Sequence, residues 1–257
     1  MRLAVVCWKL LRALMHAVGG WFTIRFRFSR MSPQAREQEV QRWSRKMLQI
    51  LGVTLVVQGR APEHGPLLLI VNHVSWLDIL CIHAARHVRF VAKSNIRHWP
   101  MLGSLSTGAG TLYIERERRR DAMRLVHHMA ESLRAGDLIA VFPEGTTSDG
   151  RTLLPFHANL LQSAISAGAP VQPAALRFAL SSTGETSSAP AYVDDDSLLD
   201  SVWRTLSAPP LTAYLRFGDP QDSRGRERRA WAMALHTEVS ALRAHTYADA
   251  APGSSSD

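Results

Sequence analysis

Short apolar runs and amphipathic stretches alternate along the middle of the chain. The run at 67–71, five apolar residues in a row, is typical of a strand covered on both faces. Between the runs, apolar residues recur with a helical period at 76–85, 119–135 and 157–167. This order predicts an α/β domain over residues 53–220, with a largely parallel sheet flanked by helices. The predicted strands are 53–58, 67–71, 88–93, 111–114, 138–142, 171–180 and 211–217.

The N-terminal stretch from Leu3 to Ile24 is apolar but carries Lys9 and Arg12 near its middle. Two charges there argue against a clean transmembrane helix, which needs about 20 uninterrupted apolar residues. Three residues apart, the two share one helix face, which leaves another face for lipid, with Trp8, Leu11, Met15 and Trp21. We interpret the stretch as an interfacial or re-entrant membrane anchor that ends at Gly19-Gly20. A buried core helix has the same periodicity and stays open as the alternative.

Helix-end signals delimit a second N-terminal helix. Ser32 suits the N-cap, Pro33 suits the first helical position and Gly52 suits the stop, which predicts a helix at 34–51. The Ser/Thr/Gly-rich segment 181–190 predicts a loop. The predicted division is 1–52 for the membrane-anchoring helices, 53–220 for the α/β domain, and 221–257 for a helix at 224–245 and a disordered tail at 252–257.

Composition narrows the class of protein. With 257 residues, 46% hydrophobic and 20% charged, the chain can bury a core, which excludes wholesale disorder and a collagen-like fibre. Two cysteines exclude a disulfide scaffold. The net charge of +8 indicates a polyanionic partner, either nucleic acid or an anionic membrane surface.

The segment 72–78, Asn-His-Val-Ser-Trp-Leu-Asp, directly follows the apolar strand at 67–71. Ligands of α/β sheets bind beyond the carboxyl ends of strands, so His73 is well placed for proton transfer. On one regular helix, five residues span about 500° of rotation, so His73 and Asp78 would not share a face. They meet only if His73 lies on the turn and Asp78 on the first helical turn. A capping histidine and a solvated aspartate are the alternative.

Three further segments carry candidate site residues or turn signals at the ends of predicted strands. Glu144, Gly145 and Thr146 lie in 142–148, Phe-Pro-Glu-Gly-Thr-Thr-Ser, after a buried strand. Gly110 begins the segment 110–116, which ends in Arg116, a fixed clamp for a phosphate or one cation of a solvated charge run. The segment 169–176 has two prolines three residues apart, which restrain entry into a strand.

Together, in this order, the four segments resemble the glycerolipid acyltransferase family, typified by 1-acyl-sn-glycerol-3-phosphate acyltransferases. The first matches the family pattern N-H-x-x-x-x-D in full. In the others, Tyr113 stands where the family has Phe, Thr147 where many members have Arg, and Ala169 at the first position of the last block. The resemblance covers about residues 67–180.

The resemblance implies that His73 is the general base for an acceptor hydroxyl that attacks an acyl thioester. Asp78 would orient His73, without an acyl-enzyme. Arg116 and the segment 144–146 would bind the acceptor head group, with Gly110 in the same substrate-binding set. We add Lys93, which ends a predicted strand, as a candidate anion contact or an ordinary surface residue.

The implied reaction transfers a fatty acyl group to the free hydroxyl of 1-acyl-glycerol-3-phosphate and gives phosphatidic acid. Acyl-CoA or acyl carrier protein would be the donor and partner, with no cofactor and no metal. Membrane lipids and a lysophospholipid acceptor would be the other partners, without nucleic acid. The expected location is the inner (cytoplasmic) membrane, with the catalytic domain on the cytoplasmic side.

Thr147 opens an alternative acceptor. Without an arginine at this position the third motif loses a phosphate partner, and the run Thr-Ser-Asp-Gly at 147–150 resembles that of relatives that acylate lyso-ornithine lipids. A membrane-surface adaptor without catalysis is the non-enzymatic alternative, and it would explain the charge and the anchor but not the pair of His73 and Asp78.

Overall fold

The computed structural model describes residues 2–114, 119–193 and 196–248. A seven-stranded sheet forms its centre, in the order β1-β7-β6-β2-β5-β3-β4. All neighbouring strands are parallel except β6 and β7. The predicted α/β fold with a largely parallel sheet is confirmed. The strands are β1 (Val53–Gln58), β2 (Leu67–Val71), β3 (Arg89–Lys93), β4 (Leu112–Ile114), β5 (Leu138–Val141), β6 (Val171–Leu180) and β7 (Leu211–Phe217).

The described residues form eight α-helices: α1 (Arg2–Phe26), α2 (Pro33–Leu51), α3 (Leu77–Ala85), α4 (Leu102–Gly108), α5 (Arg119–Arg134), α6 (Leu161–Ala167), α7 (Leu198–Ser207) and α8 (Arg228–Ala248). Short 3-10 turns lie at Phe28–Arg30, Ser94–His98 and Ala158–Leu160. The last of these takes the place of the first turn of the helix predicted at 157–167. Helix α4, which is short and rich in glycine, serine and threonine, was not predicted from the sequence. Helix α7 was also missed, although it has a helical period.

The alternation along β2 divides the core into two layers. Leu67, Leu69 and Val71 point to one side of the sheet, and Leu68 and Ile70 to the other. Helices α1, α2, α3 and α7 pack on the first side, which we call the α1 side. Helices α5, α6 and α8 pack on the opposite side, the α8 side.

The C-terminal helix α8 is part of the α/β unit rather than an appendage to it. Trp231 and Leu235 are 2% and 0% exposed and lie in the same core cluster as Leu68 of β2. The boundary drawn at residue 221 therefore separates α8 from a core that it helps to form. The tail predicted at 252–257 lies outside the described residues.

The caps of α2 are those expected from the sequence. The Ser32 side chain accepts a hydrogen bond from the backbone N–H of Ala35 at 3.2 Å, and Gly52 takes a left-handed φ of 82°. The break predicted at Gly19-Gly20 is wrong, since α1 runs unbroken to Phe26. A Cβ at Gly20 would lie 2.4 Å from the indole nitrogen of Trp43, so this glycine allows α1 to approach α2 closely.

Helix α1 exposes an unusual amount of apolar surface. Val6 and Ala17 are buried against the rest of the protein, and Lys9 and Arg12 are half-buried. The exposed stripe includes Leu3, Val5, Trp8, Leu11, Leu14, Met15, Val18, Phe22 and Phe26. Within the described chain, α1 is the one helix long and apolar enough to cross a membrane, and 17% of its apolar window is buried.

Candidate active site

The carboxyl ends of four neighbouring parallel strands form one edge of the sheet. Strand β2 leads into His73, β5 leads into Glu144, and β3 ends at Lys93. Because parallel strands end at the same edge, residues 73 and 144 are brought together although 71 positions separate them. Lys93 is exposed two strands away from β2. Arg116 follows β4 and lies outside the described residues.

His73 and Asp78 are in direct contact. His73 lies on the turn after β2, and Asp78 lies in the first turn of α3, the arrangement that their spacing requires. His73 Nδ1 is 2.7 Å from Asp78 Oδ2. The same oxygen accepts hydrogen bonds from the backbone N–H groups of Val74, at 2.7 Å, and Ser75, at 2.9 Å. Three donors converge on one carboxylate oxygen, which fixes the turn around the imidazole.

This contact sets the tautomer of His73. An ionised carboxylate accepts hydrogen bonds only, so the proton of the neutral ring sits on Nδ1 and the lone pair on Nε2. The imidazole stacks on the Phe142 ring with centroids 3.8 Å apart and planes 5° apart. Asp78 is fully buried, whereas the His73 side chain is 18% exposed. The ring is therefore held at one edge by Asp78 and on one face by Phe142, and it remains partly open to solvent.

Asn72 attaches the turn to the neighbouring strand. Its Nδ2 donates to the backbone carbonyl of Leu176 at 3.0 Å, and its Oδ1 accepts from the Leu176 N–H at 2.7 Å. The Asn72 side chain, 1% exposed, thus continues the ladder between β2 and β6 beyond the last paired residue, Val71. The amide supplies one donor and one acceptor, which a carboxylate or a methyl group would not.

Glu144 holds two loops together. Oε1 accepts from the backbone N–H of His73 at 2.6 Å, and Oε2 accepts from the N–H of Leu154 at 2.8 Å. The residue is 4% exposed, and burial raises the pKa of its carboxyl, although the two backbone donors oppose the rise. Contact of Glu144 with a head group stays a prediction; the contacts present make it a positioning residue for the His73 turn.

Gly145 and Thr146 are exposed beside the turn. Gly145 has a φ of 75°, and a Cβ there would lie 2.8 Å from Cδ2 of His157. The conformation and the close approach both require glycine. This leaves a backbone surface next to His73, which is compatible with the predicted substrate contact.

Tyr192 and its neighbours were not found by sequence reasoning. The Tyr192 N–H donates to the Val74 carbonyl at 3.1 Å, and the Thr147 hydroxyl donates to the Tyr192 carbonyl. Tyr192 therefore binds both motifs, one through its N–H and the other through its carbonyl. No local signal marks Tyr192, because its partners lie 45 or more positions away.

Gly110 does not join this cluster. It precedes β4, with a φ of 80°, and its carbonyl accepts from Arg89 Nε at 2.9 Å, where Arg89 begins β3. This is the amino edge of the parallel strands, opposite His73. The structure gives Gly110 a turn role there and offers no support for its prediction as a substrate-binding residue.

Comparison with known proteins identifies the family. The sequence profile named Acyltransferase matches residues 53–177. The 1-acyl-sn-glycerol-3-phosphate acyltransferase of Neisseria meningitidis serogroup B is 40% identical over 198 residues, 77% of each chain. The chain belongs to the glycerolipid acyltransferase family. It is an acyltransferase, which rules out the non-catalytic adaptor.

Two other relatives bear on this acyltransferase. The lyso-ornithine lipid O-acyltransferase of Pseudomonas aeruginosa is 32% identical over 228 residues, 88% of this chain and 87% of that one. The crystal structure of the 1-acyl-sn-glycerophosphate (LPA) acyltransferase PlsC from Thermotoga maritima matches with a TM-score of 0.73 and 19% identity, over 95% of this chain and 96% of that chain. The second match supports the fold.

Proposed function

We propose that this acyltransferase moves a fatty acyl group from an acyl thioester to the free hydroxyl of 1-acyl-glycerol-3-phosphate at a membrane surface. The observation that carries the proposal is the contact of His73 Nδ1 with Asp78 Oδ2 at 2.7 Å on the carboxyl edge of the sheet. It commits Nδ1 to the carboxylate and leaves Nε2 as the base for a substrate hydroxyl.

The proposed chemistry is a direct transfer. Nε2 of His73 takes the proton of the acceptor hydroxyl as its oxygen attacks the thioester carbonyl carbon. Asp78 stabilises the imidazolium, and Phe142 offers it the face of an aromatic ring. The C–S bond then breaks, and the sulfur leaves as a thiolate, which needs little protonation because a free thiol has a pKa of about 8.5. The proton held by His73 passes to the released sulfur or to water.

The acceptor class is supported by the names of the relatives. The Neisseria meningitidis relative is named for 1-acyl-glycerol-3-phosphate, and Lys93 ends β3 at the edge that carries His73. A head-group contact of Arg116, which follows β4 in the sequence, stays a prediction. The donor is proposed to be acyl-CoA or acyl carrier protein, with no further cofactor. Lyso-ornithine lipid is the second candidate acceptor, since Thr147 removes a cation from the third motif and the Pseudomonas aeruginosa relative is named for that lipid.

A competition assay separates the two acceptors. Labelled acyl thioester is offered with equimolar lysophosphatidic acid and lyso-ornithine lipid, and the two products are counted. Excess phosphatidic acid supports the first acceptor. Excess ornithine lipid overturns it in favour of the second, and transfer to neither acceptor contradicts both.

Thr147→Arg is expected to shift the product ratio of this assay several-fold toward phosphatidic acid, because a guanidinium is a strong phosphate partner. The substitution also removes the hydrogen bond from Thr147 to Tyr192, so Thr147→Val is the matched control. If only the loss of that hydrogen bond matters, the Val variant changes the rates with lysophosphatidic acid and with lyso-ornithine lipid to the same extent. An unchanged product ratio in the Arg variant would contradict the head-group role of position 147.

Helix α1 is proposed to anchor the enzyme on the inner (cytoplasmic) membrane, with the catalytic domain on the cytoplasmic side. The exposed apolar stripe, with Lys9 and Arg12 half-buried, fits a helix lying in the interface. Exposed Arg25, Arg27 and Arg30 follow the stripe and suit anionic head groups. Acyl thioesters are supplied in the cytoplasm, which favours this orientation.

Replacing Trp8, Leu11 and Met15 together by serine is expected to weaken vesicle binding at least about tenfold, since each apolar side chain is worth about 1.5–3 kcal/mol when fully buried. The three are 49–56% exposed, so the fold keeps its core. Sedimentation with vesicles at high salt measures the binding. Met123→Ser with Met233→Ser on the α8 side is the control, and equal loss in both variants would contradict the anchor.

A further inference from the structure

The exposed apolar side chains outside α1 are distributed unevenly over the two sides of the sheet. On the α1 side, Trp99 lies just before α4 and Leu102 begins it, and Leu199 and Trp203 lie on α7. Among the described residues of the α8-side helices, the large exposed apolar side chains are Met123 and Met233, on separate helices. A protein that meets water equally on both sides has no reason for this asymmetry.

Helix α7 is amphipathic and lies beside α1. Ser201, Thr205 and Leu206 are buried against the protein. Leu199 and Trp203, one turn apart, are 79% and 44% exposed. Helix α7 is in contact with α1, so the exposed pair lies on a helix that packs against the one carrying the apolar stripe.

The same helix is bonded to the catalytic turn. Trp76, just before α3, donates its indole N–H to the Ser201 hydroxyl at 3.1 Å. Arg204 of α7 donates to the Ala191 carbonyl at 2.6 Å, next to Tyr192, whose N–H binds Val74. Position 203 is thus connected to the turn that carries His73 through two short hydrogen-bonded paths.

We propose that α7 is a second lipid-contacting element, in which Leu199 and Trp203 insert into the bilayer interface beside α1. The inference rests on the proposed membrane function. Tryptophan favours the membrane interface, and α7 packs against α1, whose apolar stripe ends near three exposed arginines. Contact with lipid there holds α7 against the His73 turn, so that the site faces the surface from which a lysolipid arrives.

A fluorophore at position 199 tests the contact directly. In the full chain, Cys7 is exposed and Cys81 buried, so Cys7→Ser provides a background for a single labelled cysteine. Leu199→Cys carries an environment-sensitive dye, Met233→Cys on the α8 side is the matched control, and the dye on Cys7 reports on α1. The probe is a vesicle of phosphatidylethanolamine and phosphatidylglycerol.

We expect the dye at 199 to shift to the blue with vesicles while the dye at 233 does not. A shift at Cys7 without one at 199 overturns the α7 contact and leaves the anchor and the acyltransferase proposal intact. Equal shifts at 199 and 233 also overturn it. A blue shift of the dye at 199 that occurs without vesicles and grows with protein concentration would also overturn the lipid contact, because it would indicate that a second copy of the chain binds α7.

A kinetic measurement gives an independent readout. For Leu199→Ser with Trp203→Ser, the ratio of KM for acceptor in vesicles to KM for acceptor in detergent is expected to rise about tenfold. For Met123→Ser with Met233→Ser the ratio should stay at the wild-type value. An equal ratio of the two KM values in both double variants would overturn the contact of α7 with lipid. If the wild-type protein transfers no acyl group at all, the result contradicts the proposed function instead.

Discussion

His73→Ala is expected to lower kcat by at least about 10²–10⁴, the usual contribution of a positioned general base. The imidazole is the group whose Nε2 would take the acceptor proton, and alanine leaves nothing in its place. The fold should persist, because the backbone N–H of His73 still binds Glu144 and its carbonyl still accepts from the N–H of Ser148 at 2.8 Å. Acyl transfer with saturating acceptor and donor measures the loss.

His127→Ala is the matched control for this experiment. His127 is 69% exposed on α5, on the α8 side, and its removal should leave kcat at the wild-type value. Far-ultraviolet circular dichroism shows whether both variants are folded. Substantial residual activity in folded His73→Ala would exclude His73 as the base, and an equal loss in His127→Ala would show that the assay reports on stability.

Asp78→Asn should reduce kcat by up to about 10⁴, the loss seen when the carboxylate of a catalytic triad is made neutral. An amide oxygen in the place of Oδ2 can still accept from Val74, Ser75 and His73, so the turn keeps its shape. What disappears is the negative charge that stabilises the imidazolium. The KM for the acceptor should change little, because no acceptor contact is removed.

The same substitution carries a structural cost that must be separated from the chemistry. Oδ1 of Asp78 is buried without a hydrogen-bond partner among the described residues, so an amide nitrogen there is unsatisfied and costs about 1–3 kcal/mol. Thermal unfolding of the wild type and of Asp78→Asn measures this cost. The activities of the two proteins are then compared at a temperature well below the lower of the two unfolding midpoints. A wild-type kcat in the folded Asp78→Asn variant would contradict the role of Asp78. Asp219→Asn, which changes an exposed aspartate, is the control and should keep the wild-type kcat.

Local patterns determined most of the elements because their causes are local. Strands β1, β2, β6 and β7 have the predicted bounds, since continuous apolar runs bordered by turn residues specify buried strands. Helix α2 begins and ends as Ser32, Pro33 and Gly52 predict. The prediction of a helix break at Gly19-Gly20 failed because a glycine pair has the same sequence pattern whether it ends a helix or allows another helix to approach. Only the position of Trp43 against Gly20 shows that the second case applies.

The sequence by itself determined the α/β class, the family resemblance, and the meeting of His73 with Asp78, which five positions and one turn are enough to specify. Only the tertiary structure decided the positioning of that pair. Asn72 binds Leu176 across 104 positions, Glu144 binds His73 across 71, and Trp76 binds Ser201 across 125. Such contacts arise when strands and helices pack, and the local periodicity of a chain holds no information about which distant backbone group will stand opposite a given side chain.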